Sequence, residues 1–165
     1  MSERTYRVLF VCTDNAARSI MAEAILNQRG HGRFEAFSAG SHPAGRVHPS
    51  ALKQLQDSRL QTEGLRSKSW DEFAQPGSPP LDFVFTLCDV STRESHPAWP
   101  GKPLQSSWGV PDPVTVQGSE RNVAKAFHDS FMALDWRIGL FISLPIASLD
   151  RLTLADRVAE IGEEV

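Results

Sequence analysis

The residues Val11-Cys12-Thr13-Asp14-Asn15-Ala16-Ala17-Arg18-Ser19 place a thiol, a five-residue turn, a guanidinium and a hydroxyl in immediate succession. A short turn running into a helix start can aim successive backbone N–H groups inward as an anion nest, here from Thr13, Asp14, Asn15, Ala16 and Ala17. Such a field favours thiolate over thiol, so the pKa of Cys12 is expected to fall well below the ~8.5 of free cysteine. Arg18 carries a planar fork that can hold two oxygens of a tetrahedral anion. Asn15 tolerates positive φ and can brace the loop through its amide. Ser19 can donate to the Cys12 sulfur and hold it ionised. The chemistry this pattern suits is nucleophilic attack by Cys12 on a bound oxyanion such as phosphate or arsenate. A lone cysteine at a strand end is more often a small buried hydrophobe. The arginine and serine at these offsets would arise by chance only about once or twice in a hundred in a chain of this composition. Cys88 has Glu94 where Arg18 follows Cys12, so only one cysteine qualifies.

Those residues need a frame. Tyr6 to Val11 reads as a short buried strand. Ala16 to Gln28 has helical spacing in Ile20, Met21, Ala24 and Ile25, with Gly30 as its stop. Phe34 to Ser38 reads as a second strand, ended by Ala39-Gly40. Pro49 opens a helix whose apolar face is Ala51, Leu52 and Leu55. Leu81 to Leu87 is the next strand. Residues 88–118 hold Pro97, Pro100, Pro103, Pro111 and Pro113 and read as loops, with a short strand over Leu104 to Trp108. Val123 to Phe141 predicts a long amphipathic helix, Pro145 breaks the chain, and Ser148 to Ile161 predicts a last helix. Strands alternating with helices imply a parallel sheet with helices on both faces. Ligands of such sheets sit beyond the carboxyl ends of the strands, where Cys12 falls.

The 165 residues suit one ordinary domain, 1–165, without repeat or linker. A net charge of −3 argues against nucleic acid as partner, while leaving room for a locally positive site. No apolar run approaches the roughly 18 residues of a membrane span, and the block Val8-Leu9-Phe10-Val11 is too short for a signal peptide. The expected location is the cytoplasm, where the two cysteines would be thiols. The scattered histidines offer no metal-ligand spacing, and no cofactor is expected.

Cys-x5-Arg-Ser directly after an N-terminal strand resembles the low-molecular-weight protein tyrosine phosphatase superfamily, and within it the thioredoxin-coupled type of arsenate reductase. The resemblance extends to Phe37-Ser38-Ala39-Gly40-Ser41-His42-Pro43, Arg66-Ser67-Lys68, Thr86-Leu87-Cys88-Asp89 and Trp108-Gly109-Val110-Pro111-Asp112-Pro113. It implies a flavodoxin-like α/β fold with a four-stranded parallel sheet, Cys12 as nucleophile and Arg18 as oxyanion clamp. It also implies that Asp112, of the Asp-Pro pair, is a general acid. A leaving oxygen needs a proton, and a carboxyl shielded beside a bound anion has a raised pKa. Taken alone, Asp112 between two prolines equally suits a turn.

The chain departs from the phosphatase pattern at Val114, where those enzymes carry a tyrosine that walls the aryl slot. Its only tyrosine, Tyr6, lies in the first strand. Trp70, Trp99 or Trp108 could wall a slot instead, or serve as core. Cys88, closing a neighbouring strand, could attack a Cys12–S–As adduct, release arsenite and leave a Cys12–Cys88 disulfide; it could also be a buried structural residue. The family's thioredoxin-coupled members carry a further cysteine where this chain has His96. The reductant would then be external: glutathione with glutaredoxin, or thioredoxin acting on the disulfide directly. Asp14 is out of character in an anion loop and is expected to face solvent. His42 and His48 are expected to be solvated loop residues.

Three readings follow: a thiol-dependent arsenate reductase; a phosphatase on phosphotyrosine or a small phosphate ester, working through a phosphocysteine; and a non-catalytic anion-binding module.

Overall fold

Val8, Leu9, Phe10 and Val11 are bulky, uncharged and all buried, and they form the middle of strand β1 (Tyr6–Cys12). Alternate side chains of a strand face opposite sides of the sheet, so a strand apolar at every position must be covered twice. The computed structural model, which describes residues 4–87 and 97–163, shows both covers. β1 pairs in parallel with β2 (Phe34–Gly40) on one side and β3 (Phe83–Thr86) on the other, and β4 (Leu104–Ser107) pairs in parallel with β3. The four-stranded order is β2-β1-β3-β4. The chain passes from β1 to β2 on one side and resumes at β3 on the other. The carboxyl end of β1 is therefore the topological switch point, where open parallel sheets leave a crevice.

Val8, Phe10, Phe34, Ala36, Phe83 and Phe85 share one apolar cluster with residues of helices α1 (Arg18–Arg29), α2 (Pro49–Asp57), α3 (Glu120–Ile142) and α4 (Arg151–Glu163). Leu9, Val11, Ala39 and Val84 form the opposite cluster with Trp70, Leu81 and Trp99, beneath a short 3-10 helix at Trp70–Phe73. All three tryptophans proposed as slot walls are thus core. Trp108 is fully buried, stacks on Phe85 at 3.8 Å between ring centroids, and donates its indole N–H to the Val158 carbonyl. A ring that fills the sheet's helical face cannot also wall a surface slot.

Element ends differ from the expectation where local chemistry intervenes. α1 begins at Arg18, not Ala16, because residues 13–17 are spent on the loop. α3 begins earlier than its apolar pattern, at Glu120, because the Ser119 hydroxyl caps it by accepting from the Asn122 N–H. After Pro145 the chain makes a 3-10 turn at Ile146–Ser148, and α4 follows only at Arg151. Among the described residues, no helix is long and apolar enough to cross a membrane.

Candidate active site

Cys12 is the last residue of β1, paired in register with Gly40, the last residue of β2. Leu87 extends β3 by donating its N–H to the Val11 carbonyl, and Val110 donates in turn to the Leu87 carbonyl. Cys12, Gly40, Leu87 and Val110 therefore share one edge of the sheet.

The loop from Thr13 to Ala17 is shaped from outside. The amides of His42, Ala44 and His48 donate to the carbonyls of Thr13, Asp14 and Ala16 at 2.8, 2.9 and 2.9 Å. Across a trans peptide the carbonyl and the next N–H point oppositely. Drawing these three carbonyls outward turns the N–H groups of Asp14, Asn15 and Ala17 to the other side, toward the loop interior. α1 then starts at Arg18, and its N-cap residue Ala17 has no side-chain group to cap it. The loop needs Gly40: a Cβ there would stand 2.6 Å from the Thr13 carbonyl oxygen and 3.0 Å from the Asn15 nitrogen.

Asn15 locks the loop. It has φ +45° and is fully buried. Its Oδ1 accepts from the Lys68 N–H at 2.9 Å, and its Nδ2 donates to the Ser19 Oγ at 2.7 Å. Ser19 Oγ lies 2.9 Å from Cys12 Sγ. Arg18 is buried: its Nη1 donates to the carbonyls of Val110 at 2.9 Å and Leu87 at 3.4 Å, and its Nη2 faces Asp112 Oδ2 at 3.4 Å. Asp112 is both things its sequence context allowed. Its Oδ1 accepts from the Val114 N–H and caps the 3-10 helix Pro113–Thr115, while its other oxygen reaches Arg18. Cys12, Arg18, Ser19 and Asp112 therefore meet at one place. Cys88 and His96 lie outside the described residues.

Two expectations are overturned. The first is the ionisation of Cys12. Complete burial pushes its thiol up to about 11, and the Asp14 carboxylate adds to the rise. The Ser19 hydroxyl, the Ser19 N–H and Arg18 pull the other way without prevailing. Removing water from a sulfur disfavours the charged form more than these dipoles favour it. The second is Asp14, which does not face solvent alone: its Oδ1 accepts a hydrogen bond from Cys12 Sγ at 3.6 Å. The loop thus holds a protonated nucleophile beside a carboxylate.

His48, expected to be solvated, caps α2 by accepting from the Ser50 N–H, and its ring lies 4.9 Å from that of Phe127. His42 is exposed, with Nδ1 3.1 Å from the Ser41 hydroxyl.

Sequence reading missed two supporting residues. Arg137 of α3 is buried and donates to the carbonyls of Trp108 at 3.1 Å and Gly109 at 2.7 Å, steadying the chain that carries Asp112. Its signal was an arginine within the apolar stripe Leu134, Ile138, Phe141. Lys68 is buried beside Glu23, 3.7 Å away, with Ser38 between them. Burial lowers the lysine's pKa and raises the glutamate's. Among the described residues, no group of three or more His, Cys, Asp or Glu side chains is placed to hold a metal.

A sequence model described as low molecular weight phosphotyrosine protein phosphatase matches residues 7–143. The chain belongs to this family. An arsenate reductase of Oceanobacillus iheyensis is 27% identical over 134 residues, 81% of this chain and 93% of that protein. A glutaredoxin arsenate reductase of a Synechocystis strain is 29% identical over 107 residues, 65% of this chain and 78% of that protein. The solved structure of a thioredoxin-dependent arsenate reductase from Corynebacterium glutamicum has a TM-score of 0.63 at 23% identity, covering 90% of this chain and 66% of that one. At that identity the likeness establishes the shared α/β fold. The family's flavodoxin-like parallel sheet is the one described above.

Proposed function

We propose that this family member is a thiol-dependent arsenate reductase in which Cys12 is the nucleophile. The observation that carries it is the buried Cys12 sulfur, bonded to Ser19 at 2.9 Å and enclosed by a loop whose carbonyls are drawn outward. Similarity to proteins named arsenate reductase supports this substrate.

The Cys12 thiol condenses with a protonated arsenate oxygen. An S–As bond forms, an As–O bond breaks, and the thiol proton leaves with the departing hydroxyl as water. Backbone N–H groups and Arg18 hold the remaining oxygens. A second thiol then attacks the Cys12 sulfur. The S–As bonding pair passes to arsenic, which leaves as arsenite, and a disulfide remains. Cys88 is the thiol that the family resemblance suggests. With His96 where a relay cysteine would stand, an external thiol must reduce that disulfide. Glutathione with glutaredoxin and thioredoxin are both candidates, in the cytoplasm.

The phosphatase reading rests on Asp112, whose side chain stands 3.4 Å from the buried Arg18; its carboxylic acid form would protonate a leaving alcohol. Against an aryl substrate stand Val114 after the Asp-Pro pair and three tryptophans committed to the core.

The test is arsenite formation over many turnovers, with glutathione plus glutaredoxin or thioredoxin plus its reductase as donor, and Cys12→Ser as blank. Sustained arsenite with either donor is expected. No arsenite with either, alongside hydrolysis of an aryl phosphate, would make the chain a phosphatase. Cys88→Ser should stop disulfide-linked turnover while leaving ester hydrolysis intact.

A further inference from the structure

We propose that Asp14 makes the Cys12 loop selective for an oxyanion that still carries a proton, so that phosphate- and arsenate-like ions enter while sulfate is refused. The proposal rests on the reading that this loop takes a tetrahedral oxyanion, and it deepens that reading by naming the residue that chooses among such ions.

The described groups that the loop backbone, Ser19 and Arg18 bring to its interior are donors or a cation: the N–H groups of Asp14, Asn15 and Ala17, the Ser19 N–H and hydroxyl, and Arg18. Among the described residues of the loop, Asp14 brings a carboxylate acceptor, with its Oδ1 3.6 Å from the reacting sulfur. It is not a side chain at the tip of a loose loop. The Asp14 carbonyl is gripped by the Ala44 N–H at 2.9 Å and by the Ser67 hydroxyl at 3.3 Å. Its neighbour Asn15 is fully buried and bonded on both amide atoms. The backbone that carries the carboxylate is thereby fixed beside the sulfur, and the carboxylate accepts from Cys12.

An ion such as sulfate offers four acceptor oxygens near neutral pH and no donor. Wherever it sits in the loop, an oxygen beside Asp14 meets a second acceptor of the same charge. Phosphate or arsenate retains at least one O–H near neutral pH, and that O–H can donate to the carboxylate. A site built around a specific hydrogen bond rejects the analogue that cannot make it far more strongly than a shape-only site does. The carboxylate also subtracts from the positive charge of Arg18, so the singly charged ion gains over the doubly charged one.

Among the described residues, the other charged side chains on the surrounding segments do not replace this acceptor. Asp112 is turned to Arg18 and to the Val114 N–H. Glu23 is occupied with Ser38 and Lys68, and Lys68 also donates to the Arg66 carbonyl. Arg66 is paired with Glu72. His42 and Arg46 lie on the exposed stretch that follows β2.

The experiment is calorimetric titration of the full chain, wild type and Asp14→Asn, with inorganic phosphate and separately with sulfate, from neutral to mildly alkaline pH. The wild type should bind phosphate about a hundredfold more tightly than sulfate, weakening as phosphate loses its second proton, by the hydrogen-bond discrimination above. In Asp14→Asn the amide can donate to either ion, so the ratio should fall below about tenfold, mainly through a gain in sulfate binding. Equal binding of the two ions by the wild type would overturn the proposal and leave the oxyanion loop standing, as would an unchanged ratio in a folded Asp14→Asn protein. Failure of both ions to bind either protein would remove the oxyanion reading itself, and this proposal with it.

Discussion

Cys12 Sγ and Ser19 Oγ lie 2.9 Å apart in the buried interior of the loop, and the direction of that hydrogen bond follows from its surroundings. Asn15 Nδ2 donates to the same hydroxyl at 2.7 Å, and Cys12 donates its own proton toward Asp14. The serine proton is left to point at the sulfur. The chain Asn15 to Ser19 to Cys12 is therefore a directed relay of donors ending on the nucleophile.

Ser19→Ala should slow the Cys12 step by about ten- to a hundredfold, because a hydrogen bond to the negative charge that develops on the sulfur as its proton leaves contributes roughly 1.5–3 kcal/mol. Single-turnover adduct formation is the direct measurement. The midpoint for Cys12 alkylation should also rise, since the Ser19 hydroxyl is what most strongly lowers that pKa. An unchanged alkylation profile would mean the hydroxyl serves packing only.

The pH dependence of Cys12 has a definite sign. Its pKa rises from an ordinary 9.0 to about 11 on folding, so between these values the folded chain holds a proton that the unfolded chain has lost. Stability is full below the lower value and falls as pH climbs through the window, by about 3 kcal/mol at 1.36 kcal/mol per unit. Cys12→Ser should lose this component of the alkaline decline in urea unfolding. In the wild type, alkylation by iodoacetamide should keep accelerating toward about 11 rather than levelling near 9.0.

The parts of the site legible in the sequence are those set by local succession. Cys12 at a strand end, Arg18 and Ser19 at a helix start, and Asn15 at a positive φ all follow from spacing and residue type. The alternation of strands with helices was enough to place Cys12 at the carboxyl edge of a parallel sheet. What could not be read depended on long-range contact. The elevated pKa of Cys12 comes from burial by the whole fold, whereas the N–H groups that argued for the opposite are local. The backbone that carries Asp14 to the sulfur is gripped at its carbonyl by Ala44 and Ser67, from distant positions in the chain. The fate of the tryptophans likewise turned on partners such as Phe85 and Val158.

Gly40 is required for a backbone approach, not for a turn. Gly40→Ala would press a methyl against the Thr13 carbonyl oxygen at 2.6 Å and against Asn15, and neither is a side chain that can swing away. Overpacking of this kind costs about 1–3 kcal/mol. The displaced loop should also lose phosphate affinity. Urea unfolding and phosphate titration on the same preparation check both effects, and wild-type behaviour in both would show that the strand end has room to yield.

Lys68, on the segment that leads to the 3-10 helix Trp70–Phe73, and Glu23 tie that segment to α1 from within the protein. Removing one partner of a buried pair costs about 3–5 kcal/mol when the survivor stays charged. Burial already raises the pKa of Glu23, so that residue can take up a proton instead. Lys68→Met should accordingly destabilise by about 2–3 kcal/mol, below that range, and the loss should shrink as pH is lowered and Glu23 protonates. Chemical denaturation at neutral and mildly acidic pH is the check, and a loss independent of pH would assign the effect to packing alone.

Asp112 separates the two chemistries available to this loop. In ester hydrolysis the departing alkoxide must receive a proton from the protein, and a positioned acid contributes about 10²–10⁴-fold. In condensation with arsenate the departing group is a hydroxyl, and the proton that completes water comes from the Cys12 thiol, which burial keeps protonated. Asp112→Asn should therefore abolish most phosphate-ester hydrolysis while lowering the rate of arsenate adduct formation by less than about tenfold, since no proton from residue 112 enters that step. The substitution leaves an oxygen to accept from the Val114 N–H and removes the charge facing Arg18, 3.4 Å away. An oxyanion no longer has to compete with that charge, so phosphate should bind more tightly to the variant. Parallel single-turnover assays with arsenate and with an aryl phosphate measure the split. Equal losses in both would place the Asp112 proton in the arsenate step as well.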